Sequence, residues 1–423
     1  MPVVVQKYGG TSVADAARIA NVARRIVATF EQRNSVCAVV SARGDTTDEL
    51  LALAREITPD PPEREMDMLL SAGERISCAL LAMAIHRLGY DAVSLTGSQA
   101  GIVTDTVHTK ARILDIHPAR VSEAMGEGKI VLVAGFQGVS TDRDVTTLGR
   151  GGSDTTAVAL AHALGADVCE IYTDVDGVYT ANPSLVAKAS KIDRISYDEM
   201  LEMAASGAQV LALRSVEYAR KYGIPIHVRS SFTDAEGTWV TDGGDPMHTD
   251  QQLEQPIIRA VTYTTDEAKV VVRGVPDRPG VAALVFSALA AAHVNVDTII
   301  QNTSESGHSD ISCTIPAEDI PAADKALRDV TRELGAREYD IEPSIAKISL
   351  IGAGMRTHPG VAAKMFQTLA NLGINLDMIS TSPIKISCVI AKEHVDQAVR
   401  ELHKVFQLDD DAVIREPADR GTS

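Results

Sequence analysis

The sequence has little cysteine, and its few cysteines are not arranged as pairs or as metal ligands. They are odd in number and never fall in a Cys-x-x-Cys or Cys/His spacing: Cys37, Cys78, Cys169, Cys313 and Cys388. This pattern argues against a disulfide framework and against a zinc site. We therefore expect reduced thiols, a cytoplasmic protein and no metal centre built from its side chains.

Long apolar runs and basic clusters are also missing. The longest apolar stretch, residues 280–294, is interrupted by Ser287 and His293 and is too short to cross a bilayer, and no basic leader with an apolar segment follows Met1. With 57 acidic and 40 basic residues, the formal net charge of −17 repels nucleic acid and anionic membranes. We expect a soluble protein that has neither as a partner.

The chain does contain enough apolar sequence for several domains, with 423 residues of which 45% are hydrophobic. From residue 3 to about 231, short β-branched runs such as 36–40, 130–133 and 168–172 alternate with amphipathic helical stretches. This alternation predicts an α/β domain with three αβα layers and a mostly parallel sheet. A weakly hydrophobic segment with several glycines follows at 233–254 and is typical of a linker.

The C-terminal part contains an internal repeat. The pentapeptide Pro-Gly-Val-Ala-Ala at 279–283 recurs at 359–363, 80 positions later, and Phe286, Asn295 and Asp297 recur at the same offset. Each copy runs strand, helix, two strands and a helix before a final strand, which predicts two ferredoxin-like βαββαβ units. The predicted boundaries are 1–232 for the α/β domain, 233–260 for the linker, and 261–344 and 345–423 for the two repeats.

Residues 7–12, Lys-Tyr-Gly-Gly-Thr-Ser, directly follow a predicted strand and precede a predicted helix at 15–27. Glycine N–H groups and a lysine at a helix N-terminus bind phosphate. A Gly-Gly turn with a solvated lysine explains the same residues, because they match neither common phosphate-loop pattern.

A second glycine-rich loop, at 148–156, precedes a predicted helix at 157–164. In it, Arg150 could grip a carboxylate with two parallel hydrogen bonds, and Asp154 could hold an ammonium group. The alternative is a flexible loop with a capping aspartate.

Three further polar segments are less specific. Residues 172–179 end a strand where open α/β sheets place ligands, so their carboxylates could serve magnesium or ribose, but an Asp-Gly turn explains them equally well. Residues 41–47 and 71–75 flank helices, and helix capping is the alternative for both.

Together, residues 7–12, 71–75, 149–154 and the duplicated Pro-Gly modules resemble the aspartate kinase family with tandem ACT domains. The resemblance covers nearly the whole chain. It implies transfer of the ATP γ-phosphoryl group to the β-carboxylate of L-aspartate, giving 4-phospho-L-aspartate for lysine, threonine and methionine synthesis, with ATP and Mg²⁺ as cofactors. Such chemistry needs positioning and charge neutralisation more than a protein nucleophile.

The resemblance also implies residue roles. Lys7 would bridge phosphate oxygens and Asp154 would orient it, while Arg150 would clamp the substrate α-carboxylate and Glu74 would meet its ammonium group. The remaining substrate positions are Ser41, Thr47 and Ser153. The nucleotide positions are Lys7, Gly9, Gly10, Ser12, Thr173, Asp174, Tyr179, Ser184 and Gln209.

Some residues depart from the family pattern on the nucleotide side. Asn182 and Ser184 stand where the family usually has aspartate and arginine, and Gln209 stands where it usually has lysine. One alternative is therefore a catalytically weak homologue that serves as an amino-acid-binding regulatory subunit. Another is a kinase of a related substrate in a specialised pathway, for which Arg43, in place of a methionine, is the support.

For regulation, the resemblance implies that threonine, lysine or both bind to the ACT modules. It also implies a homo-oligomer, most simply a dimer, that assembles through these modules. The effector positions are Asp277, Gly280, Ala282, Gln301, Asn375 and Ser382.

Overall fold

The computed structural model describes residues 1–243, 257–303, 307–353, 355 and 358–409. These residues form two compact units. The first unit holds Met1–Tyr179, Lys191–Ala205 and the described residues from Gln209 to 243. The second holds Thr180–Ser190, Ser206–Ala208 and the described residues from 257 onward.

The first unit alternates strands and helices along the chain. Its strands are β1 Val3–Tyr8, β2 Ser35–Val40, β3 Ala92–Leu95, β4 Ile102–Thr104, β5 Ile113–Ile116, β6 Ile130–Ala134, β7 Gln137–Ser140, β8 Val145–Thr147, β9 Val168–Thr173, β10 Val178–Tyr179, β11 Lys191–Ile192, β12 Arg194–Ser196, β13 Ile226–Ser230 and β14 Thr238–Thr241. Its helices are α1 Ala16–Glu31, α2 Thr46–Ile57, α3 Glu63–Leu70, α4 Ala72–Arg87, α5 Ala119–Gly126, α6 Gly152–Ala163, α7 Tyr197–Ala205 and α8 Leu213–Tyr222.

Eight of these strands form one sheet, in the order β12-β14-β13-β9-β1-β2-β6-β3. All neighbours are parallel except β13 and β14. The central strands read as continuous apolar runs because helices cover both of their faces. Tyr8 packs in a core with α1 and α4, whereas the adjacent Lys7 pairs with Asp154 of α6, as the alternation of side chains along a strand requires. The predicted α/β fold with a mostly parallel sheet is confirmed.

Two local predictions are corrected. Helix α6 begins at Gly152, five residues before the predicted start, because Gly151 adopts a left-handed backbone (φ +71°) that starts the helix directly after the loop. The stretch predicted as a linker, 233–260, includes β14, whose Thr-Trp-Val-Thr sequence pairs with β12 and β13. Residues 244–256 of that predicted linker lie outside the described residues.

The second unit contains the repeat. Its strands are β15 Ile257–Thr264, β16 Glu267–Pro276, β17 Asp297–Thr303, β18 His308–Pro316, β19 Glu338–Glu342, β20 Ile345–Ala353, β21 Met378–Ser382 and β22 Lys385–Ala391. Its helices are α9 Val281–Ala291, α10 Ile320–Leu334, α11 Pro359–Asn371 and α12 Val395–Val405.

The two repeats fold as predicted except for one edge strand. The first repeat forms the sheet β17-β18-β16-β19, with α9 and α10 in its core. In the second repeat the order is β15-β20-β22-β21, so β15 takes the place that β19 has in the first. Residues 261–264, predicted for the first repeat, therefore belong to the sheet of the second, where the buried Val261 pairs with Leu350. Residues 410–423 of the predicted second repeat lie outside the described residues.

Lysines on the first strands of the two repeats connect the repeats reciprocally. Lys347 Nζ lies 2.7 Å from Asp297 Oδ2 and 2.6 Å from Glu267 Oε1, and Lys269 Nζ lies 2.7 Å from Asp377 Oδ2. The two aspartates are 80 positions apart, which is the offset of the repeat. The two lysines are 78 positions apart, so the lysine–aspartate pairs follow the internal symmetry of the duplication closely, whereas the glutamate partners do not.

Within the described residues, one helical stretch, Glu63–Arg87, is long and apolar enough to cross a membrane by length and composition alone. Half of its most apolar window is buried inside the protein. The core helix of a soluble protein passes the same test, so this is weak evidence for a membrane span.

Candidate active site

The predicted phosphate loop lies at the carboxyl end of β1, in the middle of the main sheet. Lys7 Nζ forms an ion pair of 2.7 Å with Asp154 Oδ1 in the first turn of α6, and both side chains are largely buried. Gly10 approaches the next loop so closely that a Cβ on it would lie 2.7 Å from the carbonyl oxygen of Ala42. A cation, glycine N–H groups and a helix N-terminus are thus collected at one edge of the sheet, as binding of phosphate requires.

The second glycine loop brings Arg150 and Ser153 to α6. Gly149 and Gly151 both have left-handed backbones, and a Cβ on Gly151 would stand 2.2 Å from Cβ of Ala212. Arg150 is exposed and forms no ion pair with any described residue. Its guanidinium group is therefore open to an anionic ligand.

Glu74 is the most unusual carboxyl group of the site. It is 3% exposed, and its Oε1 accepts a hydrogen bond of 3.1 Å from Ala42 N. Its Oε2 is buried and has no hydrogen-bond partner among the described residues. Burial raises the pKa of Glu74 to about 7, because the charged form loses hydration. A ligand ammonium group would satisfy this oxygen and favour the ionised carboxylate.

The other two predicted substrate positions flank the Glu74–Ala42 contact. Ser41 directly follows β2 and donates its N–H to the carbonyl oxygen of Tyr8 at 3.0 Å. Thr47 lies in the first turn of α2. The close approach of α4 to this loop requires Gly73, where a Cβ would lie 2.8 Å from Cβ of Ala42.

The predicted nucleotide positions fall into two groups. Thr173 ends β9, the neighbour of β1, and is followed by Asp174, whose Oδ1 accepts a hydrogen bond of 3.2 Å from Thr173 Oγ1. Tyr179 ends β10, while Ser12 is buried and bonds Ser231 Oγ at 2.6 Å. These positions, together with Gly9 and Gln209, lie in the first unit.

Ser184 lies in the second unit, on the segment Thr180–Ser190. Its N–H and hydroxyl both donate to Asn182 Oδ1, at 3.0 and 2.7 Å. Thr180 Oγ1 lies 2.9 Å from Nε2 of His403, a buried residue of α12. The segment that starts one residue after Tyr179 is therefore held by contacts of the second repeat.

A buried polar network beside the site was missed from the sequence. Glu170 on β9 accepts from Gln6 Nε2 at 2.8 Å, from Tyr172 OH at 3.2 Å and from Arg229 Nη1 at 3.1 Å. Tyr172 stacks on Tyr8 with ring centroids 4.7 Å apart. The available signal was the placement of Gln6 and Glu170 inside otherwise apolar strands. The network braces the strand ends that carry Lys7 and Thr173.

Comparison with known proteins gives the family. Residues 2–230 match the amino acid kinase family, and residues 269–330 and 348–406 match the ACT domain. The chain is 56% identical to an aspartokinase of Mycolicibacterium smegmatis over 98% of this chain and 99% of the relative. It belongs to the aspartokinase family. The predicted ACT modules and the predicted family are thereby confirmed.

Solved aspartokinases also match this chain in structure. Escherichia coli aspartokinase III in complex with aspartate and ADP matches with a TM-score of 0.82 and 27% identity, over 95% of this chain and 99% of that one. The same enzyme in complex with lysine and aspartate matches with a TM-score of 0.67 and 26% identity, over 95% and 99%.

In this member of the aspartokinase family, the predicted effector positions are distributed over both repeats. Asp277, Gly280 and Ala282 surround the N-terminus of α9, where Gly280 has a φ of +94°. Gln301 is exposed on β17 of the first repeat. The second repeat carries Asn375, which is exposed before β21, and Ser382 at the end of β21.

Proposed function

We propose that the chain phosphorylates L-aspartate with ATP, giving 4-phospho-L-aspartate and ADP. A β-carboxylate oxygen of aspartate attacks the γ-phosphorus, and the bond from that phosphorus to the bridging oxygen of ADP breaks. The product is a mixed anhydride of a carboxylic and a phosphoric acid. Family membership and the likeness to an aspartate- and ADP-bound enzyme support this reaction.

The single observation that carries the proposal is that one edge of the sheet brings together a cation for the phosphoryl group and groups of opposite charge for the two ends of an amino acid. Lys7, fixed by Asp154 at 2.7 Å, supplies a positive charge for the transferred phosphoryl group. Glu74 offers a buried oxygen without a partner to an ammonium group, and Arg150 offers an exposed guanidinium to the α-carboxylate. An amino acid held at both of these ends would present its side-chain carboxylate for transfer.

Magnesium is proposed to accompany the nucleotide. No cluster of three or more His, Cys, Asp or Glu side chains that could hold a metal is found among the described residues. This fits Mg²⁺, which binds mainly through substrate phosphates, water and one or two carboxylates. Asp174, exposed at the end of β9, is the carboxylate proposed to assist. The ion would neutralise negative charge on the phosphates.

The test is aspartate-dependent trapping of the acyl phosphate. Purified protein with ATP, Mg²⁺, aspartate and hydroxylamine should form aspartyl hydroxamate, and omission of aspartate should abolish it. Arg150→Ala should raise the KM for aspartate about 10- to 150-fold, because a charge-assisted contact worth about 1.5–3 kcal/mol is lost. Arg120→Ala, an exposed arginine on α5, is the matched control. Absence of hydroxamate from the wild-type protein would overturn the proposal.

Substitutions at the neutral residues Ser184 and Gln209 can distinguish an active aspartate kinase from a catalytically weak regulatory homologue. We propose that nucleotide binding does not depend on a cation at position 209 or at position 184; local bonding of Ser184 to Asn182 supports this for Ser184. Gln209→Lys and Ser184→Arg should then leave turnover unchanged. A large gain in turnover would instead favour the regulatory homologue.

Regulation is proposed to act through the ACT modules. Lysine, threonine or both would bind near Asp277, Gly280 and Asn375, and the modules would join chains in a homo-oligomer. The lysine complex of Escherichia coli aspartokinase III supports an amino-acid effector. The net charge of −17 is compatible with a cytoplasmic location. Equilibrium dialysis with labelled lysine and threonine, and sedimentation with each, test the effector and the assembly.

A further inference from the structure

A fully buried carboxylate, Asp67 on α3, lies outside the set of residues assigned above. It is 0% exposed, and the charge is compensated by several donors. Thr147 Oγ1 donates to Oδ1 at 2.5 Å, and Thr109 N lies 3.1 Å from Oδ1 and 3.2 Å from Oδ2. His108 Nδ1 lies 2.6 Å from Oδ2. A carboxylate removed from water is retained only with such a complete set of partners.

The partners of Asp67 lead directly to Arg150. Thr147 ends β8 and is followed by Leu148, Gly149 and Arg150. The carbonyl oxygen of Thr109 would lie 3.2 Å from a Cβ on Gly149, so the two loops are in close contact. Thr109 itself has a φ of +62°, which is unfavourable for a β-branched residue and persists only where surrounding bonds fix it.

Arg214 also connects the loop of residues 108–111 to the loop that carries Arg150. Arg214 on α8 donates from Nη1 to the carbonyl oxygen of Leu148 at 2.7 Å and from Nη2 to that of Ala111 at 3.1 Å. Ala111 N in turn donates to the carbonyl oxygen of Thr147 at 2.9 Å. The loop that carries Arg150 is thus fixed at its start by Asp67 and by Arg214.

Asp67 is also linked to the other end of the proposed aspartate pocket. It lies seven residues before Glu74 on the helical stretch Glu63–Arg87, and seven residues are close to two helical turns. Ser71, between them, accepts a hydrogen bond on its carbonyl oxygen from Gln137 Nε2 at 2.9 Å. The helical stretch Glu63–Arg87 therefore supplies both the anchor of the Arg150 loop, on α3, and Glu74, on α4.

We propose that Asp67 is a positioning residue that sets the distance between Glu74 and Arg150, and thereby the affinity for the amino-acid substrate. The inference rests on the proposed function, since it concerns the same pocket. It acts through Thr147 and residues 108–109 and touches neither substrate nor nucleotide. An asparagine at 67 would remove the negative charge and replace one acceptor oxygen by a donor amide. His108 Nδ1 could then keep its contact only by accepting, and the attraction that draws residues 108–109 and Thr147 to the carboxylate would be weakened.

The experiment measures steady-state kinetics of hydroxamate formation with the full chain. Asp67→Asn should raise the KM for aspartate at least tenfold and change the KM for ATP less than twofold. Asp144→Asn is the matched control, because Asp144 pairs with Arg64 of the same helix at the surface and should leave both constants unchanged. Thr147→Val removes a single bond and serves where Asp67→Asn fails to fold; its expected rise in aspartate KM is smaller but equally selective.

A double-mutant cycle with Arg150 tests whether Asp67 acts by positioning Arg150 or by stabilising the fold in general. If Asp67 acts through Arg150, the aspartate KM of Arg150→Ala should rise less than twofold further when Asp67→Asn is added. Additive losses, or equal rises in the KM of both substrates, would overturn the inference. Failure of the wild-type protein to form hydroxamate would instead refute the proposed function, so the two failures are distinguishable.

Discussion

Lys347 allows a quantitative test of how the two repeats are held together. Its side chain is 1% exposed and contacts Glu267, which is 16% exposed, and Asp297, which is 58% exposed. Removing one partner of a buried ion pair costs about 3–5 kcal/mol. Because Asp297 is well solvated, we expect Lys347→Met to cost about 3 kcal/mol, at the low end of that range.

The repeat supplies a matched control. Lys269 is 17% exposed, and its partners Asp377 and Glu342 are 28% and 43% exposed. Solvated pairs contribute about 1 kcal/mol or less, so Lys269→Met should cost no more than about 1 kcal/mol. Both lysines pair with one aspartate and one glutamate, so the two substitutions differ mainly in how deeply the lysine is buried.

Urea unfolding followed by far-ultraviolet circular dichroism is the assay. The single tryptophan, Trp239, lies in the first unit and serves as an internal reference. With a slope of about 2 kcal/mol per molar urea, the midpoint of the second unit should fall by about 1.5 M for Lys347→Met and about 0.5 M for the control. Equal shifts, or a larger shift for the control, would refute the argument from burial.

The same ion pairs predict a pH dependence. Burial alone would lower the pKa of Lys347, but Glu267 and Asp297 outweigh it and raise that pKa above its usual value. The stabilisation is therefore complete below the pKa of unfolded lysine and is lost as the pH rises through the folded pKa. Burial alone would raise the pKa of Asp297, but the contact with Lys347 outweighs this effect, so the pKa of Asp297 is lowered. Its contribution to the stability of the folded protein is therefore lost as the pH falls through this lowered pKa.

Three further outcomes are expected. Because the pKa of Glu74 is raised to about 7, the KM for aspartate should rise as the pH falls from 8 to 6, and Glu74→Gln should remove this dependence; a pH-independent wild-type KM would contradict it. Gly151→Ala should reduce stability well beyond the about 1–2 kcal/mol of a left-handed alanine, since its methyl would stand 2.2 Å from a neighbouring Cβ, whereas Gly165→Ala, which meets nothing within 4 Å, should show that backbone cost alone in thermal unfolding. His403→Leu removes one buried partner of Thr180 and should lower the stability of the second unit by about 1 kcal/mol in urea unfolding; an unchanged midpoint would count against it.

Local sequence predicted the parts of the site that depend on local geometry. The strand, the glycine-containing connection and the following helix around Lys7 are specified by neighbouring residues, and the structure has the strand, a short 3-10 helix at Gly10–Val13 and α1. The charge of Arg150 and its place in a glycine loop were also readable. These features need no knowledge of distant contacts.

The remaining features depend on contacts between distant segments. Burial of Glu74 follows from packing of α4 on the loop after β2, so the sequence left helix capping open as its explanation. Asp67 gave no signal because its partners, Thr109 and Thr147, are 42 and 80 residues away. The placement of Ser184 in the second unit follows from contacts such as that of Thr180 with His403, 223 residues apart.

The edge strand β15 makes the first repeat an insertion. Thr264, at its end, pairs with Lys347 near the start of β20, so these two strands are positioned like the arms of a hairpin. The whole first repeat, from Glu267 to Glu342, is inserted in the chain between β15 and β20. The first repeat could therefore be exchanged, duplicated or lost as one unit while the second repeat kept its complete four-stranded sheet. A cut between the two copies would instead leave the second repeat without its edge strand β15.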